Sequence, residues 1–266
     1  MPTFRHDDVD IYYELAGSGK PLLLIAGLAS DQAFWQPSRD ALAGERQLIL
    51  VDNRGTGRTT PADVATSIAD MAGDCAALLA HLKLSRVDVA GHSMGGMIAQ
   101  ELALRAPDLV DRLVLASTAP AVNARNNDLF ASWATLFAQI DRRAWFRNLY
   151  FWVLSTRFFA SPKTVDALLT LAATYPYQQT AVALRNQVDA IARFDVSARL
   201  SSLTARTLVL AGTEDLLFPI AEAAAFAKSI PHATFVAVEG AAHSFPAESP
   251  EEFTRQVLRF TAPPAA

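Results

Sequence analysis

The sequence feature that most constrains the fold is a G-x-S-x-G pattern made by Gly91, Ser93 and Gly95. The residues at 87–90 include two valines and are typical of a strand, and those from Met94 onward are typical of a helix. A serine on such a sharp turn needs small neighbours two positions away, and glycine also tolerates positive φ. The turn aims the first free N–H groups of the helix at any bound ligand. The pattern therefore predicts a nucleophilic serine on an α/β scaffold, with an ordinary Gly/Ser-rich turn as the alternative.

A serine nucleophile needs a base, and the base needs an acid to orient it. Asp215 and His243 each lie in a loop directly after an apolar, strand-like run. The carboxyl ends of parallel strands meet at one edge of a sheet, where such sheets bind ligands. The sequence therefore predicts Ser93, Asp215 and His243 as a catalytic triad. Glu214 is the alternative orienting acid, because it stands beside Asp215.

These motifs resemble the catalytic blocks of the α/β-hydrolase-fold serine hydrolases, and the resemblance covers nearly the whole chain. The matching blocks are GHSMGG at 91–96, GTEDLLFP at 212–219, GAAHSFPAESPEEF at 240–253, and the D-x-R-G-x-G turn at 52–57. The chain order of serine, acid and histidine is the order found in that fold. The family's G-x-x-D-x-x-x-P pattern selects Asp215 as the acid. Within the family, the chain is most similar to small esterases and 3-oxoadipate enol-lactonase-like members.

The resemblance also implies an oxyanion hole built from backbone groups. In the family, the loop after the strand at 22–25 supplies one donor, often following a His-Gly pair. This chain has Ala26 in place of that histidine and keeps Gly27, which lets the backbone approach a substrate. The expected donors are the N–H groups of Leu28 and Met94.

The resemblance implies an α/β fold with a mostly parallel central sheet flanked by helices and an inserted helical cap. Residues 120–198 interrupt the alternation of strands and helices and are rich in aromatic side chains. We therefore predict a core domain at 1–119 and 199–266, and a helical cap at 120–198. The aromatic residues indicate an apolar substrate pocket, or else simply the cap's own core.

The turn between the first two predicted strands has two possible interpretations. Residues 3–15 and 21–26 are predicted to be the first strands, joined by a hairpin turn at 17–20. The glycine and Lys20 in that turn are part of a phosphate-loop pattern, but Pro21 follows where that pattern needs Ser or Thr. The hairpin is therefore the preferred interpretation.

The remaining motifs predict neither a cofactor nor a metal. The G-x-G at 55–57 lacks the third glycine of a dinucleotide loop, and Pro61 interrupts any helix after it. Arg54 is predicted to be structural and to tie this loop near the serine turn. No H-x-x-x-H pattern or Cys/His spacing suggests a metal site.

Composition limits the class of protein and its partners. The 266 residues are 51% hydrophobic and 19% charged, as expected of a globular chain. The net charge of −4, with no basic run, disfavours nucleic-acid binding. The longest apolar run, around 21–29, is too short for a membrane span of about 20 residues. The start of the chain is too polar for a signal peptide, so we expect a cytoplasmic protein. The single cysteine, Cys75, is expected to be a buried thiol.

The function expected from these features is serine hydrolysis without a cofactor. The substrate is predicted to be a carboxylic ester or lactone of a partly apolar small molecule, cleaved through an acyl-enzyme on Ser93. Two alternatives remain open at this point: a hydrolase of C–C bonds in diketones using the same triad, and a ligand-binding receptor on the same scaffold. A homo-oligomer is compatible with the sequence.

Overall fold

The computed structural model describes residues 2–262, which form one eight-stranded sheet flanked by helices. The strands are β1 (Thr3–His6), β2 (Val9–Ala16), β3 (Pro21–Ile25), β4 (Gln47–Val51), β5 (Val87–His92), β6 (Val110–Ala116), β7 (Arg206–Gly212) and β8 (Thr234–Val238). Their order in the sheet is β1-β2-β4-β3-β5-β6-β7-β8. The strands from β4 to β8 in this order are parallel, and β1 and β2 are antiparallel additions at one side.

Helices connect these strands. They are α1 (Gln36–Ala43), α2 (Ile68–His81), α3 (Met94–Arg105), α4 (Ala124–Phe137), α5 (Arg142–Val153), α6 (Thr156–Phe159), α7 (Pro162–Ala173), α8 (Ala181–Ala192), α9 (Ile220–Lys228), α10 (Phe245–Glu248) and α11 (Pro250–Thr261). Short 3₁₀ turns occupy Gln32–Trp35, Pro107–Leu109 and Ser197–Ser202. No helix within residues 2–262 is both long enough and apolar enough to cross a membrane.

Most residues of the central strands are apolar, because helices cover both faces of the sheet. Leu23 and Ile25 of β3 belong to one buried cluster, and Leu22 and Leu24 belong to another on the opposite face. This alternation follows from the two-residue period of a strand. The sulfur-bearing side chain of Cys75 on α2 is buried in the first cluster, as the sequence predicts.

The predicted hairpin at 17–20 is wrong, because β4 lies between β2 and β3. β2 pairs antiparallel with β4, whereas β3 pairs parallel with both β4 and β5. The chain leaves β3, passes through α1 and returns as β4, so β4 takes the position beside β3 that a hairpin would give to β2. The turn at 17–20 therefore connects strands that are not neighbours.

The chain between β6 and β7 forms the helices α4 to α8. Trp133 and Trp145 are buried there, and the indole N–H of Trp145 donates to the Trp133 carbonyl at 2.8 Å. Two hydrogen bonds tie this segment to the sheet-edge loops. The amide of Gln187 donates to the Arg54 carbonyl at 2.7 Å, and the Tyr175 hydroxyl donates to Asp31 at 2.6 Å. The burial of Trp133 and Trp145 shows that part of the aromatic content builds the segment's own core. Its division from the rest as a separate cap stays a prediction.

Candidate active site

The turn between β5 and α3 holds Ser93 in an unfavourable backbone conformation, with φ 56° and ψ −119°. A Cβ added at Gly91 would lie 2.2 Å from the Gly95 carbonyl oxygen, and one added at Gly95 would lie 2.1 Å from the Ile25 carbonyl oxygen. Only glycine fits at either position. A non-glycine residue at positive φ costs about 1–3 kcal/mol, which the surrounding contacts must offset. The two glycines of the G-x-S-x-G pattern are therefore required by the close backbone packing of this turn.

The three side chains predicted as a triad lie in one hydrogen-bonded row. His243, in the loop after β8, places Nε2 3.0 Å from Ser93 Oγ. Its Nδ1 lies 3.0 Å from Oδ2 of Asp215, in the loop after β7. Since an ionised carboxylate only accepts, Nδ1 carries the proton and Nε2 accepts from the serine hydroxyl. His243 and Asp215 are buried, whereas Ser93 is half-buried.

Asp215 is held as a carboxylate by donors on both of its oxygens. Its Oδ1 accepts from the backbone N–H groups of Leu217, at 2.8 Å, and Phe218, at 2.9 Å. Burial raises the pKa of the Asp215 carboxyl, but the charge and hydrogen bond of His243 and the two N–H groups outweigh it. The net effect lowers the pKa below its ordinary value. The alternative acid, Glu214, instead accepts from the Thr156 N–H at 3.3 Å.

His92, directly before the serine, supports the site from behind. Its Nε2–H donates to the His243 carbonyl at 2.9 Å, and its ring stacks on Phe34 at 4.5 Å. Burial, followed by the neighbouring His243, lowers the pKa of His92 to about 3, so its ring is neutral. The side chain therefore fixes the backbone that carries His243.

The loop after β3 passes close to the serine. A Cβ added at Gly27 would lie 3.1 Å from Ser93 Cβ and 3.2 Å from the His92 carbonyl oxygen, which is closer than an ordinary van der Waals contact, so glycine eases this approach of the backbone. Asn53 secures the loop by donating to the Ala26 carbonyl at 3.0 Å. Within residues 2–262, neither the Leu28 nor the Met94 N–H donates to a protein acceptor. The oxyanion role of these two groups stays a prediction.

A cluster of carboxylates beside this loop was not anticipated from the sequence. Buried Asp52 accepts from the N–H groups of Gln32, at 2.9 Å, and Arg58, at 2.8 Å. Burial, followed by the nearby charge of Asp31, raises the pKa of Asp52 from 3.8 to about 6. Asp52 therefore joins the loop after β3 to the loop after β4. The D-x-R-G-x-G motif contains Asp52 but gives no indication of its partners.

The structure corrects the predicted role of Arg54. Its guanidinium does not reach the serine turn but pairs with Asp74 of α2, with Nε at 2.6 Å from Oδ2. Oδ1 of the same carboxylate forms a hydrogen bond with His6 Nδ1 at 2.7 Å. Arg54 is structural, as predicted, but it ties the loop to α2. Among residues 2–262, no group of three or more His, Cys, Asp or Glu side chains is arranged to hold a metal ion.

Known proteins match this chain over most of its length. A family model described as "alpha/beta hydrolase fold" matches residues 20–250. A relative from Azorhizobium caulinodans, named "Putative carbamate hydrolase RutD", is 32% identical over 262 residues, which is 98% of either chain. Relatives from Rhizobium rhizogenes and Variovorax paradoxus carry the same name. They are 28% and 31% identical, over 94% and 95% of this chain and 97% and 96% of the relatives.

Solved structures match over nearly the same length. A thermophilic esterase from Thermogutta terrifontis is 25% identical with a TM-score of 0.84, over 94% of this chain and 92% of the esterase. The enol-lactonase from Burkholderia xenovorans LB400 is 22% identical with a TM-score of 0.89, over 98% of this chain and 100% of the lactonase. At that identity the likeness to the lactonase establishes the fold alone.

Proposed function

This chain belongs to the α/β-hydrolase family, and from that membership we propose that it is a serine hydrolase of carboxylic esters or lactones. The substrate is a partly apolar small molecule. The observation that carries the proposal is the row from Asp215 through His243 to Ser93, assembled on a strained turn. The likeness to an esterase at 25% identity supports the acyl chemistry.

The first half of the reaction forms an acyl-enzyme. Ser93 Oγ attacks the substrate carbonyl carbon while its proton moves to His243 Nε2, at 3.0 Å. Asp215 stabilises the imidazolium that forms and keeps the ring in the required tautomer. The N–H groups of Leu28 and Met94 stabilise the oxyanion, and losing one such donor typically costs about 3–4 kcal/mol of transition-state stabilisation. The leaving alkoxide takes the proton from Nε2, and in a lactone it stays attached to the acyl group.

The second half releases the product. Water attacks the acyl carbonyl and passes its proton to His243 Nε2, and Ser93 recovers a proton when the tetrahedral intermediate collapses. Each step uses groups of this chain and water. We further propose that the helices from α4 to α8 act as a cap, because Tyr175 in this segment bonds to Asp31 beside the loop after β3.

A carbamate is a second candidate substrate. The specific observation in its favour is the 32% identity, over 98% of both chains, to a relative named for carbamate hydrolysis. The same attack by Ser93 on a carbonyl flanked by nitrogen would give a carbamoyl-enzyme in place of an acyl-enzyme. The triad geometry is suited to both reactions, so the substrate must be distinguished by turnover.

The proposal is tested first by changing Ser93 to Ala. We expect kcat to fall by a factor on the order of 10⁶, by analogy with serine-protease triads. A fluorophosphonate should add one adduct to the native chain, seen by intact mass, and none to the variant. An unlabelled native chain that binds small esters without turnover would instead support the receptor alternative.

The substrate class is then assigned by a matched panel. Aryl acetates, simple lactones, aryl N-methylcarbamates and a vinylogous diketone are compared by kcat/KM on the native enzyme, with S93A as the blank. The proposed function predicts the largest values for the esters or lactones. A preference for the carbamates or for the diketone would replace that substrate assignment while leaving the nucleophile in place.

A further inference from the structure

The two peptide groups that hold Asp215 are themselves held from the far side by the first turn of α4. The first is the peptide between Leu216 and Leu217. Its N–H, from Leu217, donates to Asp215 Oδ1 at 2.8 Å. Its carbonyl, from Leu216, accepts from Nη1 of Arg125 at 3.0 Å. One rigid planar unit thus joins a guanidinium of the helical segment to the acid of the triad.

The second peptide, between Leu217 and Phe218, repeats the arrangement. The Phe218 N–H donates to Asp215 Oδ1 at 2.9 Å, and the Leu217 carbonyl accepts from Nδ2 of Asn126 at 2.6 Å. Because a carbonyl only accepts, the amide nitrogen of Asn126 must face it. Asn126 is 0% exposed, so this bond lies in the interior.

We infer that Arg125 and Asn126 are positioning residues that orient the Asp215 carboxylate through the peptide groups on either side of Leu217. The inference rests on the proposed function, because it concerns the acid of that triad. Each donor polarises the peptide it binds, which strengthens the N–H that the carboxylate receives. Neither residue touches the reacting atoms, so both act only through Asp215.

The anchoring helix is well placed for this role. Asn123 caps α4 by accepting from the Asn126 N–H at 2.9 Å, which fixes the turn that carries both donors. Arg125 also lies over the Trp152 ring at 5.5 Å, so the following helix restrains its guanidinium. The arrangement makes the orientation of the acid depend on the inserted helices.

A pH effect follows from the contacts of Asp215. The titratable groups around it are His243, which bonds its Oδ2, and His92, which lies behind His243. Burial raises the pKa of Asp215, and the Phe218 and Leu217 N–H groups help to lower it. If those N–H groups lose their alignment, the carboxylate is less stabilised. The carboxylate then keeps a proton to higher pH, so the acidic limb of the kcat/KM profile moves to higher pH.

The experiment compares R125A and N126A with N127A in the intact chain. Asn127 is the matched control, since it has the same side chain as Asn126 on the same turn but makes no hydrogen bond to residues 216–218 within the described chain. The kcat/KM on an aryl acetate is normalised to the fraction of chains labelled by fluorophosphonate. We expect R125A and N126A to lose activity on the order of 10- to 100-fold, mostly in kcat, with the acidic limb shifted upward. N127A should match the native enzyme.

Two further variants separate the possible failures. Arg125 is exposed, so R125A should fold even if N126A does not, and R125K should recover activity because it keeps a donor. S93A measured in parallel tests the proposed function itself. If S93A is inactive while R125A and N126A keep native rates and pH profiles per labelled site, the positioning role is refuted and the proposed function stands. If S93A remains active, the proposed function fails as well.

Discussion

At the scale of single residues, the geometry of the candidate triad depends on which atoms donate hydrogen bonds and which accept them. Asp215 receives two backbone N–H groups on Oδ1 and the His243 ring on Oδ2. A carboxylate has acceptor sites for all three donors, whereas an amide must present two N–H groups of its own. This donor count distinguishes Asp215 from Glu214, whose side chain receives the Thr156 N–H.

The donor count leads to a prediction for D215N. The Asn amide can turn its NH2 group towards the two peptide N–H groups, where donors face donors, or towards His243 Nδ1, where it disfavours the required tautomer. We expect kcat to fall by a factor on the order of 10⁴, as in serine-protease triads. The measurement is kcat on the same ester, with E214Q as the neighbouring control. Equal losses in the two variants would contradict the assignment of Asp215 as the orienting acid.

At the scale of elements, the unit of β5, the turn and α3 tolerates no added atoms at its glycines. A Cβ on Gly95 would overlap the carbonyl oxygen of Ile25, at the end of β3. The helix thus starts against the backbone of the neighbouring strand. Gly73 within α2 is different, because the nearest atom to an added Cβ is His6 Cε1 at 3.9 Å.

The contrast between these glycines is testable with two alanine substitutions. G73A should raise the free energy of unfolding by about 0.5–1 kcal/mol, because alanine loses less backbone freedom in a helix. G95A should fail to fold or lose several kcal/mol, since the 2.1 Å approach involves backbone that cannot move aside. Urea unfolding gives both values. A stable, active G95A would contradict the close packing of α3 on β3.

At the scale of the whole molecule, the inserted helices and the sheet share the loops that form the candidate site. Tyr175 bonds to Asp31 beside the loop after β3, and Asn126 bonds to the loop that carries Asp215. The Ser244 N–H, next to His243, donates to the Val153 carbonyl at the end of α5. The helical segment therefore contacts the region of the loop after β3 and the loops that carry Asp215 and His243.

Buried Asp52 makes one contribution to the stability of the whole molecule that falls as the pH rises. The pKa of Asp52 is about 6 in the folded protein against an ordinary 3.8. Folded chains keep a proton that unfolded chains release in this interval, so the contribution is full below about pH 4 and lost by about pH 6. The loss is up to roughly 3 kcal/mol. Urea titrations at several pH values measure it.

The control for this pH prediction is D31N. The charge of Asp31 is the second cause of the raised pKa of Asp52, after burial. The variant should therefore lose less stability between pH 4 and pH 6 than the native protein does. A pH dependence that D31N leaves unchanged would show that the two carboxylates do not interact.

Local steric and chemical demands were readable from the sequence by itself. The glycines around Ser93 record the crowding of one turn, and such crowding involves residues close in the chain. Asp215 and His243 follow apolar runs, and strands of a parallel sheet end at a common edge. Together with the resemblance of these motifs to those of a known family, these demands predicted the fold and the members of the candidate triad without coordinates.

Other features were decided only by the tertiary structure. The position of β4 between β2 and β3 depends on how the whole sheet assembles, and the turn at 17–20 is equally suited to a hairpin. The bonds from Arg125 and Asn126 to the Asp215 loop join residues 91 positions apart. A contact across such a separation depends on how the helices and strands pack against one another. No local periodicity or motif in the sequence predicts it.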